Sequence, residues 1–108
     1  PVDGESLLPL MNGERADNGR TSVYGEFHSH FYVGRQRMVR DHDYQLTFNE
    51  SERGELYDLK KDPYQLHNVC YDPAYAEVKK QYLDLMSGYM KQLNDPAGTW
   101  FHRIKEFY

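Results

Sequence analysis

Apolar and polar residues alternate with a period of two through residues 22–33. One set of positions holds Val23, Phe27, Phe31 and Val33, and the other holds Tyr24, Glu26, His28, His30 and Tyr32. This period is typical of a β-strand with one face on a core. We therefore predict a strand whose apolar set is buried. Gly25 lies within that set and predicts a bulge or close packing there.

Three more strands are predicted downstream, at residues 36–40, 44–49 and 54–59. In the second of these, Tyr44, Leu46 and Phe48 should face the core, and the residues between them should face out. The connections between the strands are short and polar. Connections of this length form hairpins, so we predict an antiparallel sheet of about four strands.

A period of three to four residues begins after Asp72-Pro73, a pair that is typical of a helix start. The apolar stripe consists of Tyr75, Val78, Tyr82, Leu85, Tyr89 and Leu93. It predicts a helix that ends near Asn94, about 22 residues and roughly 33 Å long. Gly88 would allow close contact with a strand. The fold class is therefore predicted as α+β, an antiparallel sheet with one long helix across a face.

The whole chain, residues 1–108, is interpreted as a single domain. Its predicted parts are a connecting segment and loop (1–21), the sheet (22–59), a turn segment (60–72), the helix (73–94) and a docking tail (95–108). Within the first part, "SLLPLM" suggests one or two helical turns or a docking segment. The aromatic tail, "GTWFHRIKEFY", should pack on this domain or on a neighbour.

Composition narrows the classes of partner. The 108 residues carry 17 acidic and 13 basic side chains without a basic block, so nucleic acid is not an expected partner. One cysteine permits neither an internal disulfide nor a Cys-rich zinc site. No apolar run approaches the length of a membrane span, and no signal peptide is visible. Ten tyrosines and five phenylalanines suit a thin sheet, or a piece that lies against something larger.

Candidate chemistry begins with Glu26, His28 and His30, which the alternation places on one face of the predicted strand. They could form a solvent-facing polar side, or bind an anionic ligand at a cleft with another domain. A third interpretation is a zinc site completed by His42.

Three other features have two interpretations each. Asp41-His42-Asp43 is more typical of a turn, with Asp side chains bonded to nearby amides, than of an acid–base cluster. Cys70 fits a buried apolar role better than a nucleophile. The tyrosines of the helix fit core packing better than a sugar-stacking platform.

Three segments resemble the C-terminal region of sulfatases in the alkaline-phosphatase-like superfamily. They are "DGESLLPLMNGE", "RMVRDHDYQLTFN" and "GELYDLKKDPYQLHNV", in the family's order and spacing. Gln45 replaces a usual Lys, and Gln65 replaces a frequent Glu. The resemblance extends from about Asp3 to Asn94. It implies a C-terminal subdomain with a four-stranded antiparallel sheet and a long packed helix.

The resemblance also implies a partner and a chemistry. In this family an N-terminal catalytic domain hydrolyses sulfate esters, using formylglycine and a divalent cation, expected to be calcium. Formylglycine arises from a Cys or Ser in a Cys/Ser-x-Pro-x-Arg motif. Cys70 lacks that context, so no catalytic or metal residue is predicted here. His28 and His30 remain the predicted substrate-binding residues, for a sulfated small molecule or glycan. The chain alone is expected to be inactive, and the family suggests an exported or periplasmic parent protein.

Two alternatives stay open. The chain could be a free-standing binding or interaction module from a truncated gene. It could also be the subdomain of a related phosphoester or phosphonate hydrolase, because fold likeness does not decide chemistry. We also expect self-association through "SLLPLM" or the tail.

Overall fold

The computed structural model describes residues 4–17, 19–29 and 34–108. Its elements are α1 (Leu8–Met11), β1 (Val23–His28), β2 (Arg35–Arg40), β3 (Tyr44–Asn49), β4 (Glu55–Asp58), α2 (Ala76–Gln92) and α3 (Gly98–Ile104), with 3₁₀ turns at Pro73–Tyr75 and Lys105–Phe107. The four strands form one antiparallel sheet in the order β1-β2-β3-β4. The predicted α+β class, a four-stranded sheet with a long helix against it, is confirmed.

We call the sheet face that packs on α2 the inner face. Its described apolar members are Tyr24, Val39, Tyr44, Leu46, Phe48 and Leu56, and the helix covers them with Tyr82, Leu83, Met86 and Met90. Leu46 and Phe48 are fully buried. The alternation predicted for β3 is therefore confirmed.

The face prediction for β1 is wrong. Val23 and Phe27 lie on the opposite, outer face and remain 41% and 46% exposed. Tyr24 is the inward residue, because it pairs with the buried Val39 and stacks on Tyr89 with ring centroids 5.5 Å apart. The predicted apolar residues Phe31 and Val33 lie outside the described residues.

Gly25 also lies on the outer face. A Cβ atom there would come within 3.2 Å of Cε of Met38. The register between β1 and β2 is unbroken from Val23 to His28. Close packing, rather than a bulge, is thus what the glycine accommodates.

The helical path begins at the predicted Asp72-Pro73 pair, as a 3₁₀ turn that leads into α2, and ends at Gln92, two residues before the predicted Asn94. The Asp72 carboxylate accepts a hydrogen bond from the Ala74 amide at 2.9 Å, and Pro73 takes the first helical position. At the other end Asn94 has φ 52°, a left-handed conformation that ends the helical path.

The buried stripe of α2 differs from the predicted one. Leu83, Met86 and Met90 lie in the core, whereas Leu93 is 47% exposed. The buried side is centred on Leu83, Met86 and Met90, and the predicted Val78, Leu85 and Tyr89 lie partly buried at its edge. Leu93 is exposed because it is the C-cap residue, after the last turn of α2. A Cβ atom added at Gly88 would have no neighbour within 4 Å, so the predicted strand contact of this glycine is wrong.

The tail packs on this domain. Phe101 is fully buried, and the Phe48 ring lies 4.7 Å from the Phe101 centroid and 4.2 Å from that of Tyr108. The Tyr108 hydroxyl accepts a hydrogen bond from the Asn49 amide at 2.7 Å and donates one to the Asn49 carbonyl at 3.1 Å. Gly54 is required beneath this ring, because an added Cβ would overlap Cε1 of Tyr108.

The segment "SLLPLM" forms a single helical turn, α1. Its side chains stay largely uncovered, with Leu7, Leu8 and Met11 all more than half exposed. The described part of residues 12–21 is also exposed, as predicted for a loop. Among the described residues, no helix has the length and apolar character needed to cross a membrane.

Candidate functional site

His28, the last residue of β1, is the one predicted substrate-binding residue that the structure describes. Its Nε2 lies 3.2 Å from Oε2 of Glu26, and that oxygen lies 3.6 Å from Nη2 of Arg37. The His28 side chain is 58% exposed. His30 lies outside the described residues. A shared substrate contact by the two histidines therefore stays a prediction.

His42 does not join these groups. It lies in the turn after β2, whereas His28 pairs with Arg35 at the beginning of β2. The length of a six-residue strand, roughly 17 Å, separates the two ends of the sheet. The zinc site completed by His42 is therefore excluded. Within residues 4–17, 19–29 and 34–108, no three His, Cys, Asp or Glu side chains are grouped to hold a metal ion.

Asp41-His42-Asp43 forms the turn that the sequence favoured. Oδ1 of Asp41 accepts hydrogen bonds from the amides of Asp43 and Tyr44, at 2.8 and 2.9 Å. The Tyr82 hydroxyl donates to the other Asp41 oxygen. Burial alone would raise the pKa of Asp41, but these three hydrogen bonds hold it below its ordinary value. A carboxylate so occupied links β3 to α2 and does not act as a free base.

The "GELYDLKKDPYQLHNV" segment is held by its own polar side chains. Oδ1 of Asn68 accepts from the amides of Leu56 and Cys70, at 3.1 and 3.0 Å, and its Nδ2 donates to the Gly54 carbonyl at 3.0 Å. Asp62 accepts from the His67 amide at 2.8 Å. The segment thus fastens β4 to the chain that follows it. Its role is structural.

Cys70 is buried beside this segment. The side chain is 1% exposed, and burial raises the pKa of the thiol. A buried thiol with a raised pKa is a poor nucleophile. The apolar interpretation of Cys70 is confirmed.

A buried ion pair on the inner face was not predicted from the sequence. Nε and Nη2 of Arg37 donate to the two carboxylate oxygens of Asp95, at 2.5 and 3.0 Å, with both side chains almost fully buried. The Tyr24 hydroxyl also donates to Asp95. The Arg37 hydrogen bond holds the pKa of Asp95 far below its ordinary value, whereas burial raises the pKa of Tyr24.

This cluster joins β1, β2 and the loop after α2. A signal for it was present in the sequence: Arg37 has the same parity as Val39, so an arginine at an inward position needed a carboxylate partner. The partner, 58 residues away, could not be identified from spacing. Because each charge neutralises the other, Arg37 and Asp95 form a structural pair and not a reactive one.

A cleft of about 510 Å³ opens at the end of the sheet where β1 begins and β2 ends. Its walls are Arg20, Thr21, Ser22, Val23, Arg40, Asp41, His42, Leu59 and Pro63. Arg40 is exposed and donates from Nη1 to Oε1 of Gln45 at 2.9 Å. Because it lies at the far end of β1 from His28, this cleft is separate from the predicted histidine site.

Known proteins resemble this chain over most of its length. A family model described as "N-sulphoglucosamine sulphohydrolase, C-terminal" matches residues 1–92. A protein of Haemophilus influenzae is 44% identical over 102 residues, which are 94% of this chain and 52% of that protein. A Delta 4,5-hexuronate-2-O-sulfatase of Bacteroides thetaiotaomicron is 36% identical over 95 residues, 85% of this chain and 20% of the enzyme.

One solved structure adds a ligand to the comparison. A protein solved in complex with its substrate D-glucosamine-2-N,6-O-disulfate matches with a TM-score of 0.73 and 28% identity, over 89% of this chain and 21% of its own. This chain therefore spans about half of the Haemophilus protein and about a fifth of the two others. The resemblance to the C-terminal region of sulfatases is confirmed. Since the family model covers residues 1–92, the chain belongs to the family of sulfatase C-terminal domains.

Proposed function

We propose that this chain is the C-terminal subdomain of a sulfatase that hydrolyses sulfate esters of saccharides. The observation that carries the proposal is the family match over residues 1–92 on a chain with the matching fold. The sulfated saccharides named for two relatives supply the substrate class. The chain's own role in the proposal is structural and cleft-shaping, because its sequence contains no Cys/Ser-x-Pro-x-Arg motif.

The partner in this proposal is an N-terminal catalytic domain. Relatives about five times longer than the matched segment support it. The outer face of the sheet offers a surface for the contact, since Val23 and Phe27 are more than 40% exposed there. Leu7, Leu8 and Met11 of the α1 segment add exposed apolar area. A chain without its partner would leave these surfaces in water.

The cofactors of the proposed enzyme belong to that catalytic domain. The donor groups of the described residues do not fit a metal site, because no three potential ligands come together. We therefore assign neither the calcium ion nor the formylglycine to residues of this chain. His28 and His30 are proposed as substrate contacts at the boundary between the two domains, since imidazoles can bind a sulfated ligand.

Two measurements test the proposed function. The coding sequence upstream of Pro1 should contain a Cys/Ser-x-Pro-x-Arg motif in frame, whereas a start codon immediately before Pro1 would favour a free-standing module. The 108-residue chain should show no turnover of an aryl sulfate above a buffer blank. Turnover by the chain alone would overturn the proposal.

The same assay separates the remaining alternatives once the longer protein is expressed. An aryl sulfate and an aryl phosphonate are compared in parallel, and the sulfate should be the better substrate. Preference for the phosphonate would favour the related hydrolase. Alanine at both His28 and His30 should lower kcat/KM for the sulfated saccharide, and an unchanged value would exclude these histidines from the site.

Self-association of the isolated chain is also proposed, through the α1 segment. We propose α1 rather than the tail, because Phe101 and Tyr108 of the tail already pack within the domain. Light scattering at high concentration should show dimers or larger species. A clean monomer would contradict this part of the proposal.

A further inference from the structure

We infer that the cleft at the beginning of β1 and the end of β2 binds the sulfate group of a sulfated saccharide, with Arg40 as the principal contact. We call it the Arg40 cleft. The inference rests on the proposed function, which supplies the sulfated saccharide. It goes further by assigning a binding site on this chain that is distinct from His28 and His30.

Charge is the first argument. Arg20, Arg40 and His42 all line the Arg40 cleft. Arg40 donates to a neutral amide oxygen, that of Gln45. No carboxylate in the described part of the chain lies within salt-bridge distance of Arg40. Its charge is therefore available to an anion, in a chain whose formal net charge is −4.

The nearby carboxylates are engaged elsewhere. Asp41, the acidic residue in the wall, receives the Tyr82 hydroxyl and two backbone amides. Asp43 lies 2.8 Å from Nζ of Lys60, and Asp58 lies 3.3 Å from Nζ of Lys61. Because these acids are partnered, they do not bridge to Arg40 across the cleft. An incoming anion would replace no existing ion pair at Arg40.

Shape and lining are the second argument. A volume of about 510 Å³ is within the range of small-molecule sites and suits a sugar. The Thr21 side chain and backbone offer polar contacts to sugar hydroxyls, while Val23, Leu59 and Pro63 provide apolar wall against ring carbons. A guanidinium binds a tetrahedral oxyanion through two parallel hydrogen bonds. The Arg40 cleft thus combines a guanidinium that can bind a sulfate with an apolar surface that can contact a sugar ring.

The test is a titration of the isotope-labelled 108-residue chain, followed by amide resonances. Glucosamine 6-sulfate should shift resonances of residues 20–23 and 40–42 saturably, and glucosamine should not. Arg40→Gln should weaken the binding by about 10-fold or more, because a charge-assisted hydrogen bond is lost. Arg40→Lys, which keeps the charge but not the fork, should lose less.

Arg35→Gln is the matched control. Arg35 is another exposed arginine, at the opposite end of the same strand, where it pairs with Glu50. This variant should bind glucosamine 6-sulfate as the wild type does, and the amide spectrum of each variant reports whether it is folded.

Three results would overturn the inference: no saturable shift at residues 20–23 and 40–42, equal weakening by Arg35→Gln and Arg40→Gln, or inorganic sulfate binding as tightly as glucosamine 6-sulfate. The last would indicate an anion site without a sugar contact. None of these results would alter the aryl sulfate blank or the upstream motif, so failure here is distinguishable from failure of the proposed function.

Discussion

The two faces of the sheet differ in how completely other parts of the chain cover them. The inner face is covered by α2 and the tail, and even its arginine, Arg37, has a carboxylate partner and is 1% exposed. The outer face leaves Phe27 46% exposed, with Met38 beside Gly25 only partly covered. The same four strands support both faces. The difference indicates that stability resides on the inner side, and that the outer side is available for contacts.

The largest expected effect comes from breaking the buried pair. Asp95→Asn removes the buried carboxylate of Arg37 and leaves only the partly exposed Glu26, 3.6 Å away, so the free energy of unfolding should fall by about 3–5 kcal/mol. Urea denaturation measures the change. Glu50→Gln, which removes the partner of the more exposed Arg35 on the same strand, should cost under about 1 kcal/mol. Equal losses for the two variants would show that the buried pair contributes no more to the free energy of unfolding than the exposed pair.

A second, smaller loss is expected from Gly54→Ala. The new methyl group would overlap the Tyr108 ring, which its two hydrogen bonds to Asn49 hold in place. Overpacking of this kind costs about 1–3 kcal/mol. Gly88→Ala is the control, since it adds a methyl in open space within a helix and should stabilise by up to about 1 kcal/mol. If both variants shifted the denaturant midpoint in the same direction, the packing of Tyr108 over Gly54 would be contradicted.

Acid should lower the free energy of unfolding by protonating Asp95 on the inner face. The Arg37 hydrogen bond lowers the pKa of Asp95 in the folded state, so its stabilisation is complete above the unfolded value of about 3.9. As the pH falls below that value towards the lower folded pKa, the unfolded state binds the proton first, and stability is lost. Unfolding free energies at pH 6 and pH 3 should therefore differ more for the wild type than for Asp95→Asn. An identical difference in the two proteins would exclude Asp95 as a source.

The smallest effect is expected on the outer face. Phe27→Ser should change the free energy of unfolding by less than about 0.5 kcal/mol, because this ring is already half in water. Phe48→Ala on the inner face should cost about 3–5 kcal/mol. A large loss for Phe27→Ser would mean that the outer face also contributes to the core of the isolated chain.

Local patterns in the sequence predicted most of the fold. The alternation in β3, the short connections and the Asp72-Pro73 helix start are properties of neighbouring residues, and each is confirmed. The β1 face was wrong because both of its faces carry large apolar or aromatic side chains. Tyr24 is placed inward by pairing with Val39 and by stacking on Tyr89, contacts that no local pattern specifies.

The candidate sites were less predictable for the same reason. His28 and its Glu26 partner are two residues apart, so the alternation brought them together correctly. The Arg40 cleft joins segments around residues 20, 40 and 60, which meet only through the sheet register. The spacing of residues along the chain does not show which distant segments lie side by side in the fold. Its individual residues, two arginines among 13 basic side chains, gave no signal in the sequence.

The sheet order β1-β2-β3-β4 has a consequence for the path of folding. Each strand lies beside its nearest neighbour along the chain, so the meander closes only short loops and can form early. The hydrogen bonds between Arg37 and Asp95 join residues 58 positions apart, so we expect them to form after the meander. We therefore expect Asp95→Asn to accelerate unfolding while leaving the rate of refolding nearly unchanged, so that this contact sets the lifetime of the native state.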